Sequence, residues 1–395
     1  MPERKMATEI PRRALLAAPL LALGAAAPDW LGALRARAAA LNGPGLLRSY
    51  DDVGGRGAFD LAHANTAYVY DNAVAGLALL MSGEVALARR LGDALVAAQN
   101  SDRFFHDGRV RNAYASGPAP ASGLYPLAGW WDAAAGKWVE DAYQVGSATG
   151  VVAWAMLLWI GLHRACGATV YRDAAGRAAD WVLANTAAAR GFSGGFFGFE
   201  PAQRKDVWVS TEHNIDLAVA VASLGRPGPA AHARAFVASM WNAAEGRFFT
   251  GLRPDGTANT HSAVDANLWP LLAPGADAAW APALDWILAR HGLPDGAPAG
   301  VDFNADRDGI WLEGTAMTAL TLRRARRDAL ADRFLATLRA QTAESGLIYA
   351  STTPSLSTGL STGIKPGEND FFYYRKPHIA PTGWAVLASA DKNPF

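Results

Sequence analysis

Two kinds of helical segment alternate along this chain, and that alternation restricts its fold more than any other feature. The first kind is apolar on every face: TAYVYDNAVAGLALLMSG at 66–83, then QVGSATGVVAWAMLLWIGLHRACG, STEHNIDLAVAVASLG, HSAVDANLWPLLAPG, GIWLEGTAMTALTL and APTGWAVLAS. The second carries Arg and Asp along one face: VALARRLGDALVAAQN, YRDAAGRAADWVLANT, PAAHARAFVASMWN, AAWAPALDWILARHG and RRDALADRFLATLRAQ, with DWLGALRARAAALN at 29–42 ahead of the series. A helix that is apolar all round must be enclosed, whereas an amphipathic one lies half exposed. Six of each therefore predict an all-α barrel, an (α/α)6 toroid of inner helices inside outer ones. Irregular spacing and dissimilar connections favour a closed ring over an open superhelix. The stretches DRFFHDGRV, GGFFGFEPA, EGRFFTGLRPDGT and SGLIYAS alternate turn residues with aromatics and read as hairpins or tight loops covering one rim. Pro270 inside the fourth apolar segment predicts a short or kinked helix there.

Composition narrows the function. Lys plus Arg equals Asp plus Glu at 36 each and only 18% of residues are charged, which excludes a basic nucleic-acid footprint and suits a neutral or mildly charged ligand. The single cysteine, Cys166, rules out a disulfide or a cysteine-held metal cluster within the chain and reads as a small core residue. Residues 1–27 combine a basic start, an apolar stretch and small residues at a cleavage point, the pattern of an export signal. Arg12 and Arg13 give it a twin-arginine character, although Pro11 stands where that pattern has Ser or Thr. Residues 28–395 are then one domain with no later membrane anchor, expected as a monomer in the periplasm or outside the cell.

Each apolar segment opens on polar or aromatic residues: Tyr70, Asp71 and Asn72; Tyr143 and Gln144; Glu212, His213, Asn214 and Asp216; Asp265, Asn267 and Trp269; Trp311 and Glu313; Thr382 and Trp384. Singly, an Asp here is a helix cap, His213 a hydrogen-bonded core histidine, and Trp269 or Trp311 a core ring. Together they mean more, because parallel inner helices bring all these entrances to one end of the barrel. Burying several carboxylates there costs on the order of several kcal/mol each unless they stay wet or bind something.

The motifs YDNAVAGLALL, STEHNID, DFNADRDGIWLEGTA and APTGWAVLA, set in six helical hairpins, resemble the six-hairpin glycosidase superfamily. That resemblance covers nearly the whole of 28–395 at the level of architecture. It implies a toroid acting on sugars, as a glycoside hydrolase, a polysaccharide lyase or a sugar epimerase. It assigns no catalytic role to a particular residue.

Glycoside hydrolysis needs one protonated and one ionised carboxyl across the scissile bond. The candidates are Glu212, Glu313 and Asp71. Glu212 lies in a first helical turn, where the dipole should depress its pKa, so it is expected to be the ionised partner. Glu313 is flanked by Ile310, Trp311 and Leu312, an apolar wall that raises a carboxyl pKa and suits a general acid. Gly314 beside it leaves room for a ligand. Asp71 or Asp265 would hold a sugar hydroxyl or the water, with Asn72, Asn214, His213, Gln144 and Tyr143 as hydroxyl partners. Trp130, Trp131, Trp208 and Trp311 offer faces for pyranose rings, and Arg375 and Lys376 could meet an acidic sugar.

The spacing of Asp302, Asn304, Asp306 and Asp308 is that of a calcium loop, with Glu313 at its twelfth position. Arg307 occupies the place that requires Gly, so the reading preferred is no cofactor and a loop that caps the next helix through Asp308. The expected function is an exported glycoside hydrolase acting on an oligo- or polysaccharide. The alternatives are a lyase on a uronate glycan using His213, Asn214, Tyr143 and Arg375, a sugar epimerase, or a non-catalytic glycan-binding toroid.

Overall fold

The computed structural model describes residues 28–294, 298–361 and 371–395; the segment read as an export signal lies outside them. The helices are α1 (Trp30–Ala40), α2 (Ala58–His63), α3 (Val69–Met81), α4 (Val85–Asn100), α5 (Thr149–Cys166), α6 (Thr169–Asn185), α7 (Thr211–Ser223), α8 (Pro227–Ser239), α9 (Val264–Leu272), α10 (Pro282–Arg290), α11 (Leu312–Arg324), α12 (Asp328–Ala340) and α13 (Ile379–Ser389). Burial separates them as the hydrophobic patterns predict. In α3 every residue from Asp71 to Leu79 is buried, whereas α4 buries a stripe through Ala88, Leu91, Leu95 and Ala98 and turns Arg89 and Arg90 outward.

The apolar helices contact one another in cyclic order, α3 on α5, then α7, α9, α11 and α13, and α13 returns to α3. Each carries an amphipathic partner: α4 on α3, α6 on α5, α8 on α7, α10 on α9, α12 on α11, and α1 on α13. Small residues permit the close approach. Leu158 of α5 fills the space a side chain at Gly76 of α3 would take, and Leu80 of α3 does the same at Gly161. At the seam, Arg90 of α4 donates to the carbonyls of Ala38 and Ala39, covering the exposed end of α1. Pro270 lies inside α9, which has only 9 residues, as its sequence predicts. The short α2 was not expected, and Cys166, read as a core residue, is exposed at the end of α5.

The helices start later than the apolar segments do. Thr66–Tyr68 is a strand paired antiparallel with Ala113–Ala115, and Ser147–Ala148 and Val209–Ser210 are strands that run directly into α5 and α7. The stretch DRFFHDGRV is not a hairpin. Asp102 and Glu200 hold the fully buried Arg111, and Arg103 binds Glu140 and Glu200, so ion pairs fix this loop.

One device recurs at the fourth residue of the inner helices. Asn214 donates to the carbonyl of Ser210, four residues back, and to that of Phe192, and accepts the Phe192 N–H at 2.8 Å. Asn72 does the same with Tyr68 and Leu47. Asn267 donates to Ala263 and accepts from Phe248. Thr315 joins Trp311 to Val301, and Thr382 joins His378 to Ile348. Each clip ties the first helical turn to the strand or loop preceding it in the ring. Asn72 and Asn214, expected to meet a sugar, are therefore structural and fully buried. Gln144 is likewise withdrawn, donating to the carbonyl of Ala62 and accepting from Thr66. Replacing Asn214 with Ala leaves the buried N–H and carbonyl of Phe192 unpaired. The expected result is a loss of about 2–3 kcal/mol in urea denaturation, with the slope against denaturant unchanged.

Candidate active site

The clips put the inner helices in a common register. At the second helical residue stand Tyr70 of α3, Gly150 of α5, Glu212 of α7, Asp265 of α9, Glu313 of α11 and Ala380 of α13. At the sixth stand Val74, Trp154, Asp216, Trp269, Met317 and Trp384. The upper layer therefore holds three carboxyls and a phenol around one mouth. Beneath it Trp154, Trp269 and Trp384 pack as a floor with Phe395, ring centroids 5.2–6.1 Å apart. Hydrogen bonds cross the ring. Trp384 donates its indole N–H to the Tyr70 hydroxyl at 2.9 Å, and Tyr70 donates to Glu313 Oε1 at 2.5 Å. Asp71, at the third residue of α3, binds His378 Nε2 at 2.8 Å, and Tyr50 stacks on that imidazole at 4.0 Å.

Glu313 is 2% exposed, Asp71 4% and Asp265 6%, so Glu212, only half-buried, is the group through which the cluster meets solvent. Among the described residues no cation pairs with Glu212, Asp265 or Glu313. Burial, the largest effect, together with the charges of Asp265, Asp216 and Glu313 pushes Glu212 well above the ordinary carboxyl range. Glu313 is also raised well, first by burial and then by Asp71 and Asp265, although the Tyr70 hydroxyl opposes the shift. Asp265 is pushed up to about 6 by burial. The dipole-lowered Glu212 expected from the sequence is thus corrected: loss of water and neighbouring carboxylates outweigh a helix end, which contributes at most about 2 kcal/mol.

Other expected residues divide. Tyr143 and Tyr373 lie in the field of the cluster, Tyr143 facing Glu212 and Asp71, and Tyr373 facing Glu313, Asp265 and Asp71. His213 lies against Gly150, where any side chain would collide with its ring, and near Trp208 at 5.2 Å; burial lowers its pKa to about 4. Trp208 rests on Gly194, while Trp311 is 2% exposed and its indole N–H has no partner among the described residues. Gly314 serves that packing rather than a ligand, because a side chain there would strike the Trp311 ring. Trp130 and Trp131 lie on a hairpin with Trp138, Trp131 pairing across to Trp138 and 61% exposed. Arg375 is occupied by Gln341, by backbone carbonyls and by the face of Tyr349, and Lys376 by Asp60 and the Asp52 carbonyl. Neither supplies a free cation to the mouth.

In the loop before α11, ligand atoms of Asp302, Asp306 and Asp308 lie within 4.8 Å of one another. These carboxylates also hold the loop: Asp302 accepts the N–H groups of Phe303 and Asp308, Asp308 that of Ser357, and Asn304 that of Asp306. Asp308 does not cap α11, whose N-cap is Trp311, and Glu313 belongs to the acid cluster instead of this group. Sequence reasoning missed His378 and Tyr50. His378 was visible in FFYYRKPH as the residue before the last apolar helix, but its partner lies 307 positions away. A shallow open depression of about 490 Å³ at Arg172, Arg177, Asp180 and Arg226 lies at the far end of α7, and Arg226 there is paired with Asp180. It is remote from the carboxyls and has none of their chemistry.

No protein-family model and no curated protein matches the chain. Solved structures do. A wild-type glycosidase covers 93% of this chain and 97% of its own, at 14% identity and a TM-score of 0.62. An unsaturated glucuronyl hydrolase specific for heparin covers 92% and 96% at 13% identity and 0.55, and a D-mannose isomerase 92% and 96% at 9% and 0.59. These neighbours are (α/α)6 toroid proteins, and the chain shares their fold over nearly the full length of each.

The raised carboxyls make stability depend on pH. The carboxyl of Asp265 titrates ordinarily at 3.8 and in the folded chain at about 6. Its contribution is therefore intact below 3.8 and lost as pH rises through 6, a change of up to about 3 kcal/mol. Urea denaturation from pH 4 to 7 should show falling stability, and Asp265→Asn should flatten that fall.

Proposed function

We propose that the chain is a glycoside hydrolase whose closed cycle of helix pairs forms an (α/α)6 toroid with the acid cluster at its mouth. The observation that carries this reading is the meeting of Asp71, Glu212, Asp265 and Glu313 from four different helices, with no cation between the last three among the described residues. Such a cluster costs stability and suits chemistry that passes protons across a neutral sugar. Likeness to solved sugar-acting proteins supports the same class.

The roles first suggested by the sequence are exchanged. Glu212 is the least buried carboxyl of the cluster, is raised well above the ordinary range and receives no hydrogen bond from the described residues, so it serves as general acid and protonates the leaving oxygen. Glu313 ends a chain of donors, Trp384 to Tyr70 to Glu313, which stabilises its charge once Glu212 keeps the proton. It is the ionised partner. Asp71, oriented by His378, and Asp265 hold sugar hydroxyls or the attacking water. Trp311 offers an indole N–H, while Trp208, Trp130 and Trp131 provide ring faces. The chemistry proposed calls for no cofactor. Residues 1–27 direct export, and residues 28–395 act as one monomeric domain on an oligo- or polysaccharide, with no nucleic-acid or membrane partner.

The uronate lyase reading keeps Tyr143 and His213 but loses Asn214, a buried clip, and Arg375, which is engaged elsewhere. A panel of aryl glycosides and oligosaccharides tests the proposal. Glu212→Gln and Glu313→Gln should each lower turnover of the hydrolysed member by about 10²–10⁴-fold, with folding unchanged by circular dichroism. Products carrying an ultraviolet-absorbing double bond would instead mark a lyase, and interconversion of free hexoses without glycosidic cleavage an epimerase.

A further inference from the structure

We infer that the hairpin bearing Trp131 and Trp138 is a remote glycan-binding platform, which holds a substrate chain away from the bond that is cut and so favours polymers over short glycosides. This rests on the hydrolase reading of the mouth and names the class of substrate it takes. The hairpin is Trp130–Asp132 paired antiparallel with Lys137–Val139, and Trp131 lies directly opposite Trp138. Residues directly opposed in a strand pair project from the same face. Both indoles therefore share one face, and they stay open, Trp131 61% exposed and Trp138 49%.

Bracing the hairpin does not explain them. A cross-strand aromatic pair that served stability alone would lay one ring against the other. Trp138 lies instead over Gly129, where an added side chain would come within 2.6 Å of its indole nitrogen. The turn is closed without either ring: Asp132 accepts the N–H groups of Ala134 and Ala135, and Gly136 adopts the left-handed φ of 62°. Both ends of the hairpin are rooted at the mouth. Gly129 donates its N–H to Asn65 Oδ1 at 3.1 Å, just ahead of the strand that leads into α3. Five residues after Trp138 the chain reaches Tyr143, which faces Glu212 and Asp71. Five extended residues span at most about 18 Å, so a glycan of a few units bridges the two places.

The surface fits a neutral sugar chain. A flat apolar ring with polar surroundings matches the C–H face of a pyranose, whose hydroxyls remain in water at its edge. Two partly open indoles offer on the order of 300 Å², whereas a stable protein partner covers about 800 Å² on each side. Asp132 and Lys137 oppose each other across the strands, so the pair adds no net charge to draw an anionic membrane.

Native electrophoresis through gels containing galactomannan, laminarin, pullulan or arabinoxylan tests this without turnover. At least one polymer should slow the wild-type protein, and Trp131→Ala and Trp138→Ala, checked for folding by circular dichroism, should each raise the apparent Kd by about five- to tenfold. On the polymer that is cut, kcat/KM relative to that for the aryl glycoside should fall by a similar factor, with the loss in KM. Retardation by none of the polymers, or retardation unchanged in both variants, overturns the inference. So does a wild-type dimer in sedimentation, or binding to vesicles of anionic phospholipid, that either substitution abolishes. Retardation that needs both tryptophans without hydrolysis of any polymer would overturn the hydrolase reading and leave the glycan platform in place.

Discussion

The polar fourth residue of the inner helices fixes the relative height of everything else in the barrel. Asn72, Asn214, Asn267, Thr315 and Thr382 each return a hydrogen bond to the carbonyl four residues back and hold a neighbouring segment by its backbone. These side chains join the place where a helix begins to the preceding hairpin, so five helices cannot slide independently along the barrel axis. In α5 the fourth residue is Val152, and Asn112 from the preceding rim accepts the Ala148 N–H instead. With heights set, the second residues meet at the mouth and the sixth form the floor. A slip of one residue would rotate a side chain by about 100° and move it away from the axis.

This division of labour explains what could be read from the sequence. The inner and outer helices were legible because enclosure and half-exposure leave different hydrophobic periods, and the short α9 because Pro270 cannot donate. Convergence of polar residues at one end followed from six parallel helices. What sequence could not separate was the work of neighbouring polar residues. In STEHNID, Glu212 opens on the mouth, His213 lies against Gly150, Asn214 is a backbone clip and Asp216 is a buried acid of the floor. Four fates within five residues depend on about 100° of rotation per residue and on partners far along the chain. His378 escaped notice for the same reason, since nothing near it in sequence announces Asp71.

Local rules also misjudged the charge state of Glu212. A first-turn glutamate is stabilised by its helix end, and that rule holds where water surrounds the carboxylate. At this mouth water is largely displaced and three other carboxyls stand near, so each ionisation works against the next. The result is a coupled set of raised acids instead of independent ones, and the Tyr70 hydroxyl opposes the rise at Glu313.

The contrast with the rim shows that the chain can neutralise buried acids where structure requires it. Arg111 has no exposed surface, yet Asp102 and Glu200 bracket its guanidinium, and the burial of three charges is offset by their pairing and by bonds to the backbone. There, carboxyls act as anchors, and Glu200 is held at about 2. At the mouth Glu212, Asp265 and Glu313 have no described cation beside them, and their pKa values move in the opposite direction. A fold that supplies arginine to one buried acid cluster and none of its described cations to Glu212, Asp265 and Glu313 leaves the second as protons that can be moved, which is the physical ground on which catalysis is proposed there.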